Sequence, residues 1–193
     1  IVTNLNMKAD RRSFIRTAAV AAAGTIITPE VFSIGKSGIS PADKIRVALI
    51  GGNSMGWNDL DSFLKNKEVE CVALCDVDRN VLNKRTDDVV KLRGTKPRLY
   101  VDYRKMLESK DIDVVIIGTP DHWHCLMLVD SLEAGKHVYV EKPCCHNPRE
   151  GELLIEAARK NKRCVQMGNQ RRSGAKLAEA MNLLHEGKIG RVY

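Results

Sequence analysis

The stretch VALIGGNSMG, residues 47–56, decides the fold, because it joins an apolar run to a turn that contains glycines. Gly51 and Gly56 hold the first and third glycine positions of a G-x-G-x-x-G pattern, and Asn53 holds the second. In this pattern the first glycine makes a tight turn, the second lets a pyrophosphate approach the backbone, and the third lets the helix pack on the strand. Asparagine tolerates a positive φ better than most residues, so we predict that the turn is kept.

An acidic residue follows the next apolar run at the spacing that such a turn requires. Asp76 lies twenty residues beyond Gly56, where a carboxylate accepts hydrogen bonds from the adenosine ribose of a dinucleotide. The turn residues Ser54 and Met55 are expected to lie against the same cofactor. A carboxylate repels a 2′-phosphate, so NAD is the predicted cofactor and NADP is less favoured, although Arg79 keeps NADP open. Taken without Asp76, the glycines would also suit a structural turn in another α/β protein.

Beyond the turn, short β-rich runs alternate with helical stretches. The predicted strands are 45–50, 69–75, 98–101, 114–118, 137–141 and 164–167, and the predicted helices lie near 56–66, 78–92, 103–110, 122–134 and 148–161. Several strands are apolar almost throughout, as strands are when helices cover both faces of a parallel sheet. The sequence therefore predicts an α/β fold with a doubly wound, Rossmann-type parallel sheet.

The segment GTPDHWH, residues 118–124, stands at the carboxyl end of the fourth predicted strand, where open α/β sheets bind ligands. Thr119 and Pro120 are predicted to line the cofactor, with His122 and His124 near it. Without a third ligand at suitable spacing, we predict no metal site. Helix capping by Asp121 and simple packing are the alternative explanations of this segment.

Lys142 lies in the segment VEKP, residues 140–143, after the fifth predicted strand. From this edge of the sheet its ammonium could reach a substrate hydroxyl, and it could move a proton if its pKa were lowered. A surface lysine before a proline turn explains the same residues equally well.

The first 43 residues have the composition of an export signal and a linker. Arg11-Arg12 followed by Ser13 resembles a twin-arginine signal, and the alanine-rich run after it, about twelve residues long, is too short to span a bilayer. We therefore expect a periplasmic or otherwise exported protein without stable membrane insertion. A short amphipathic helix is the alternative.

Composition narrows the possible partners. The net charge is +7, but acidic residues are interleaved with the basic ones and aromatic residues make up only 5%, so no nucleic-acid partner is predicted. The six cysteines form no C-x-x-C pair. Cys71 and Cys75 lie in an apolar run and are predicted to be small core residues, whereas Cys144 and Cys145 are expected to have a packing or supporting role.

Together these segments resemble the Gfo/Idh/MocA family of NAD(P)-dependent sugar and inositol oxidoreductases. The resemblance spans residues 44–193 and also includes AGKH (134–137), GNQRRS (168–173) and GKIGRVY (187–193). It implies that Lys142 is catalytic and contacts the cofactor. It further implies cofactor contacts at Glu141, His122, Asn169, Gln170 and Arg171.

The resemblance also implies a domain layout and a reaction. An NAD-binding Rossmann domain would occupy residues 44–170, and residues 171–193 would form a connecting helix and the start of a C-terminal α/β substrate domain that is otherwise missing. The expected reaction is hydride transfer on a sugar, inositol or related polyol by a protein that is a homo-oligomer when full length. The alternatives are an NAD-dependent glycoside hydrolase of the same fold and a non-catalytic NAD-binding fragment.

Overall fold

Strands and helices alternate along the part of the chain that the computed structural model describes, residues 44–190 without the side chain of Arg171. The predicted export signal and linker at residues 1–43 lie outside the described residues. The elements are β1 (Ile45–Ile50), α1 (Ser54–Leu64), β2 (Val69–Cys75), α2 (Arg79–Arg93), β3 (Arg98–Tyr100), α3 (Tyr103–Leu107), β4 (Val114–Ile117), α4 (His124–Glu133), β5 (His137–Val140), α5 (Pro148–Asn161), β6 (Val165–Met167) and α6 (Ala175–His185).

The six strands form one parallel sheet in the order β3-β2-β1-β4-β5-β6. Strand β1 lies in the middle, so the chain builds outward in one direction through β2 and β3 and in the other through β4, β5 and β6. This order confirms the predicted doubly wound Rossmann sheet. The reversal places a crevice between the carboxyl ends of β1 and β4, where such sheets bind ligands.

Both faces of the sheet are covered, which explains the continuous apolar runs. Val47 and Leu49 of β1 pack in the layer of α1 and α2, whereas Ala48 and Ile50 pack in the layer of α3, α4 and α5. Cys71 and Cys75 are buried in these layers, and burial raises the pKa of each thiol to about 12. They are therefore small core residues, as the sequence predicted.

Three predicted helices differ from the observed ones by two residues or more. The helix predicted near 56–66 spans Ser54–Leu64, with Asn53 as its N-cap. The helix predicted over 103–110 ends at Leu107, because the chain then turns and Lys136 Nζ donates a 2.7 Å hydrogen bond to the Ser109 carbonyl. The helix predicted from residue 122 starts as a 3₁₀ turn at Asp121–Trp123 and becomes α-helical only at His124. Within residues 44–190, no helix combines the length and apolar character needed to cross a membrane.

Candidate functional site

Three glycines bring two strand ends and a helix into backbone contact. A Cβ on Gly56, in α1, would lie 2.0 Å from the Gly51 carbonyl oxygen, and one on Gly118, after β4, would lie 2.3 Å from the Gly56 Cα. Gly51 also has a φ of +85°, which disfavours other residues. Each position therefore requires glycine. The sequence prediction omitted Gly118 from the site, although, like Gly51, it directly follows a buried strand.

The turn is kept with Asn53 in the second glycine position, but not through a positive φ at that residue. Asn53 has a φ of −96° and caps α1, and its side chain accepts a hydrogen bond from the Ser54 amide. The positive φ falls on Ser54 instead, at 44°. The extended backbone of Asn53 explains why a side chain is tolerated there.

Asp76 fixes the turn from the end of β2. Its Oδ2 accepts a 2.8 Å hydrogen bond from the Gly52 amide, and its Oδ1 accepts one from the Asp78 amide. The Gly52 carbonyl in turn accepts a 2.8 Å bond from Arg85 Nε, and the Arg85 guanidinium stacks 4.6 Å above the Trp57 ring. The Gly52 peptide is thus held on both sides. A carboxylate has about four lone-pair directions, so Asp76 keeps acceptor capacity for a ligand.

A cavity of about 590 Å³ opens beside this turn. Five of the predicted site residues line it: Gly51, Asn53, Asp76, Thr119 and Pro120. Residues that the sequence did not single out complete the mostly apolar wall, among them Val77, Val101, Tyr103, Trp123 and Met127.

Tyr103 lines this cavity with its ring, and its hydroxyl does not act as an acid there. Its hydroxyl donates a 2.6 Å hydrogen bond to Asp130 Oδ2. Burial, together with this hydrogen bond, raises the pKa of Tyr103 to about 12. The phenol therefore stays protonated near neutral pH and contributes shape to the wall.

The two histidines of the GTPDHWH segment play different parts. His124 is buried, and its ring nitrogens lie 2.7 Å from the Pro143 carbonyl oxygen and 2.8 Å from that of Thr119. It thus ties the Thr119 loop to the loop that carries Lys142. His122 is exposed beside Asp121, and neither histidine lines the cavity. Among residues 44–190, no three His, Cys, Asp or Glu side chains form a group able to hold a metal ion.

Glu141 and Gln170 meet below the carboxyl end of β5. Glu141 is buried, its Oε2 accepts a 3.1 Å hydrogen bond from the Lys142 amide, and its Oε1 accepts one from Gln170 Nε2. The same Gln170 nitrogen donates a 3.1 Å bond to Asp59 Oδ1. The sequence analysis missed Asp59, because its partners Gln170 and Glu141 are distant in the chain.

The remaining predicted site residues with described side chains do not line the cavity. Lys142 is exposed at the strand end, and Ser54, Met55 and Asn169 are exposed as well. The side chain of Arg171 lies outside the described residues. The arrangement therefore separates a glycine-lined cavity between β1, β2 and β4 from the Glu141–Lys142 corner after β5.

The Gfo/Idh/MocA description, "Oxidoreductase family, NAD-binding Rossmann fold", matches residues 45–169. The chain belongs to this family.

Proteins similar to this chain carry two kinds of name, glycosidase and dehydrogenase. A "Glycosyl hydrolase family 109 protein" of Shewanella baltica is 31% identical over 93% of this chain. An "Alpha-N-acetylgalactosaminidase" of Shewanella oneidensis is 30% identical over the same share. The chain spans 43% of the length of each. The WlbA dehydrogenase of Chromobacterium violaceum, solved with NADH and UDP-GlcNAcA, superposes with a TM-score of 0.66 and 29% identity, over 83% of this chain and 45% of that one.

Proposed function

We propose that this protein binds NAD in the cavity beside the glycine turn and takes part in hydride transfer at a CH–OH carbon of a sugar, inositol or related polyol. The observation that carries the proposal is the contact among Gly51, Gly56 and Gly118, which opens directly into the cavity rimmed by Asp76. The dehydrogenase relative solved with NADH and a nucleotide sugar supports the same activity.

The residues present suit a dinucleotide. Gly51 and Asn53 line the cavity where the chain enters α1, so a pyrophosphate could lie there, because the N-terminus of a helix favours anions. Asp76 would accept hydrogen bonds from the adenosine ribose. Its negative charge would oppose a 2′-phosphate, so we propose NAD rather than NADP.

The group that moves the substrate proton would be Lys142, which follows β5. NAD, when bound, supplies the ring carbon that accepts or returns the hydride. Lys142 would take the proton of the substrate hydroxyl as the carbon is oxidised and return it in reduction. Glu141, fixed by Gln170, would hold the Lys142 backbone in place through its amide.

A second candidate is NAD-dependent glycoside hydrolysis, favoured by the names of the curated relatives. In that reaction the sugar is oxidised, the aglycone is eliminated and the sugar is reduced again, so NAD is regenerated. NADH that accumulates with turnover indicates the dehydrogenase, whereas glycoside cleavage without net NADH indicates the hydrolase.

Asp76→Asn tests the cofactor assignment. We expect the Kd for NAD to rise about tenfold or more, because hydrogen bonds to a charged group contribute about 1.5–3 kcal/mol. The Kd for NADP should fall. Both constants are measured by calorimetric titration, with Asp78→Asn as the control, since the Asp78 side chain caps α2 and does not line the cavity. An unchanged NAD:NADP preference, or no binding of either cofactor at millimolar concentration to the parent protein, contradicts the proposal.

We also propose that residues 1–43 direct export by the twin-arginine route, on the strength of the Arg11-Arg12 pair and the apolar run that follows. Fused to a reporter that folds in the cytoplasm, this segment should send the reporter to the periplasm. Replacing Arg11 and Arg12 with lysine should block that transfer; unaffected transfer argues against the route.

A further inference from the structure

The carboxyl groups of Asp59 and Glu141 meet inside the protein, where both residues are at most 5% exposed. Asp59 comes from α1, and Glu141 directly follows β5. One amide nitrogen, Nε2 of Gln170, donates to Asp59 Oδ1 at 3.1 Å and also to Glu141 Oε1. A Cβ on Gly168 would lie 2.7 Å from Glu141 Oε1, so the chain after β6 covers the pair closely.

Nothing in the described part of the chain neutralises these two acids. Neither Asp59 nor Glu141 forms a salt bridge there, and the groups that face them are the Gln170 amide, the Tyr139 hydroxyl and the Lys142 backbone amide. Asp59 Oδ2 is buried, and no group among the described residues donates a hydrogen bond to it. Two neighbouring buried carboxylates repel each other, so one of them favours its neutral form.

We propose that Asp59 and Glu141 share one proton, and that Asp59 is thereby a positioning residue for Lys142. In the singly protonated pair, Asp59 Oδ2–H donates to the Glu141 carboxylate, which satisfies the orphaned oxygen. Glu141 then keeps its other oxygen on the Lys142 amide. This inference rests on the proposed function, because Lys142 matters only if it moves the substrate proton.

The pKa of Asp59 agrees with this arrangement. Burial raises it to about 6, the charge of Glu141 and a hydrogen bond to it act in the same direction, and the hydrogen bond from Gln170 opposes them. Because the folded value lies above the ordinary 3.8, the protonated pair stabilises the fold at low pH. That contribution is complete below about pH 4 and is lost as the pH rises through 6.

Two other carboxylates affect the stability of the fold at lower pH than the Asp59–Glu141 pair does. Hydrogen bonds from Ser109 and Arg98 lower the pKa of Asp111, and the Arg46 side chain lowers that of Asp113. The stability from these two groups is lost only as the pH falls below their ordinary range, near 4. Between about pH 5 and 7.5, the expected change in stability therefore comes from the Asp59–Glu141 pair and not from Asp111 or Asp113.

The backbone amide of Lys142 is the direct reporter of this linkage. We expect its proton and nitrogen NMR shifts to titrate with a midpoint near pH 6 in the parent chain, because loss of the shared proton pushes the Glu141 carboxylate away from Asp59. Asp59→Asn keeps a donor toward Glu141 and cannot titrate, so the Lys142 amide should stay flat from pH 5 to 7.5. In the control Asp61→Asn, which removes a half-exposed acid two residues away that pairs with Lys65, the Lys142 amide should titrate as in the parent.

Thermal unfolding gives a second measurement that does not involve turnover. Between pH 5 and 7.5, the Tm of the parent should fall by about 3–8 °C more than the Tm of Asp59→Asn does. This range follows from the usual relation between stability and Tm for a domain of this size. A Lys142 amide that does not titrate, or one that titrates identically in Asp59→Asn, overturns the proposal. Failure of NAD binding alone would instead overturn the proposed function and leave both of these measurements intact.

Discussion

Gly118→Ala is expected to unfold the domain, or to destabilise it by about 3 kcal/mol or more, and to remove NAD binding. The added Cβ would lie 2.3 Å from the Gly56 Cα and 2.8 Å from the Gly56 nitrogen. Both are backbone atoms at the start of α1, so no flexible side chain can move aside. Relief requires α1 to separate from the end of β4, which opens the turn that would hold the pyrophosphate.

Urea unfolding and NAD titration measure the two parts of this prediction. The matched control is Gly151→Ala in α5, where an added Cβ would meet only the Cys145 Sγ, at 3.6 Å. Alanine is a better helix former than glycine by about 1 kcal/mol, so the control should be as stable as the parent or slightly more stable. If Gly118→Ala matched that control, the three-glycine contact would not be what closes the turn.

The fold could be predicted because each strand carries its own signal. Val47–Ile50 is apolar at every position, and such a run bounded by a glycine turn suits a strand buried on both faces. Asp76 was predictable for a similar reason, since twenty residues separate it from Gly56 and this spacing reflects one helix and one strand. Local patterns of this kind need no knowledge of distant contacts.

Gly118 and Asp59 depend on distant contacts, and the sequence analysis missed both. The need for glycine at 118 comes from the backbone of Gly56, 62 residues earlier in the chain, and no local period reports that contact. Asp59 reads as an ordinary polar residue of α1 until Gln170, 111 residues away, closes over it. His124 is similar, because its two carbonyl partners lie on different loops.

Lys142→Met is expected to lower turnover by about a thousandfold, within the range typical of a lost general acid–base group, while the Kd for NAD changes by no more than about twofold. Methionine keeps most of the length and apolar stem of lysine but cannot carry a proton. Lys142 is exposed and does not line the cavity, so its loss should leave the glycine turn and Asp76 unchanged. The change should therefore appear in kcat rather than in cofactor affinity.

Single-turnover formation of NADH and release of an aglycone are followed in the same preparation, with Lys160→Met on the exposed end of α5 as the control. Both candidate reactions begin with oxidation of the sugar, so both signals should fall together in Lys142→Met and neither should fall in the control. A Lys142→Met protein with parental rates would show that this lysine is a surface residue before a proline turn. A loss of NAD affinity equal to the loss of rate would place Lys142 in cofactor binding instead, because an interaction that acts only on the proton of the substrate leaves the binding of NAD unchanged.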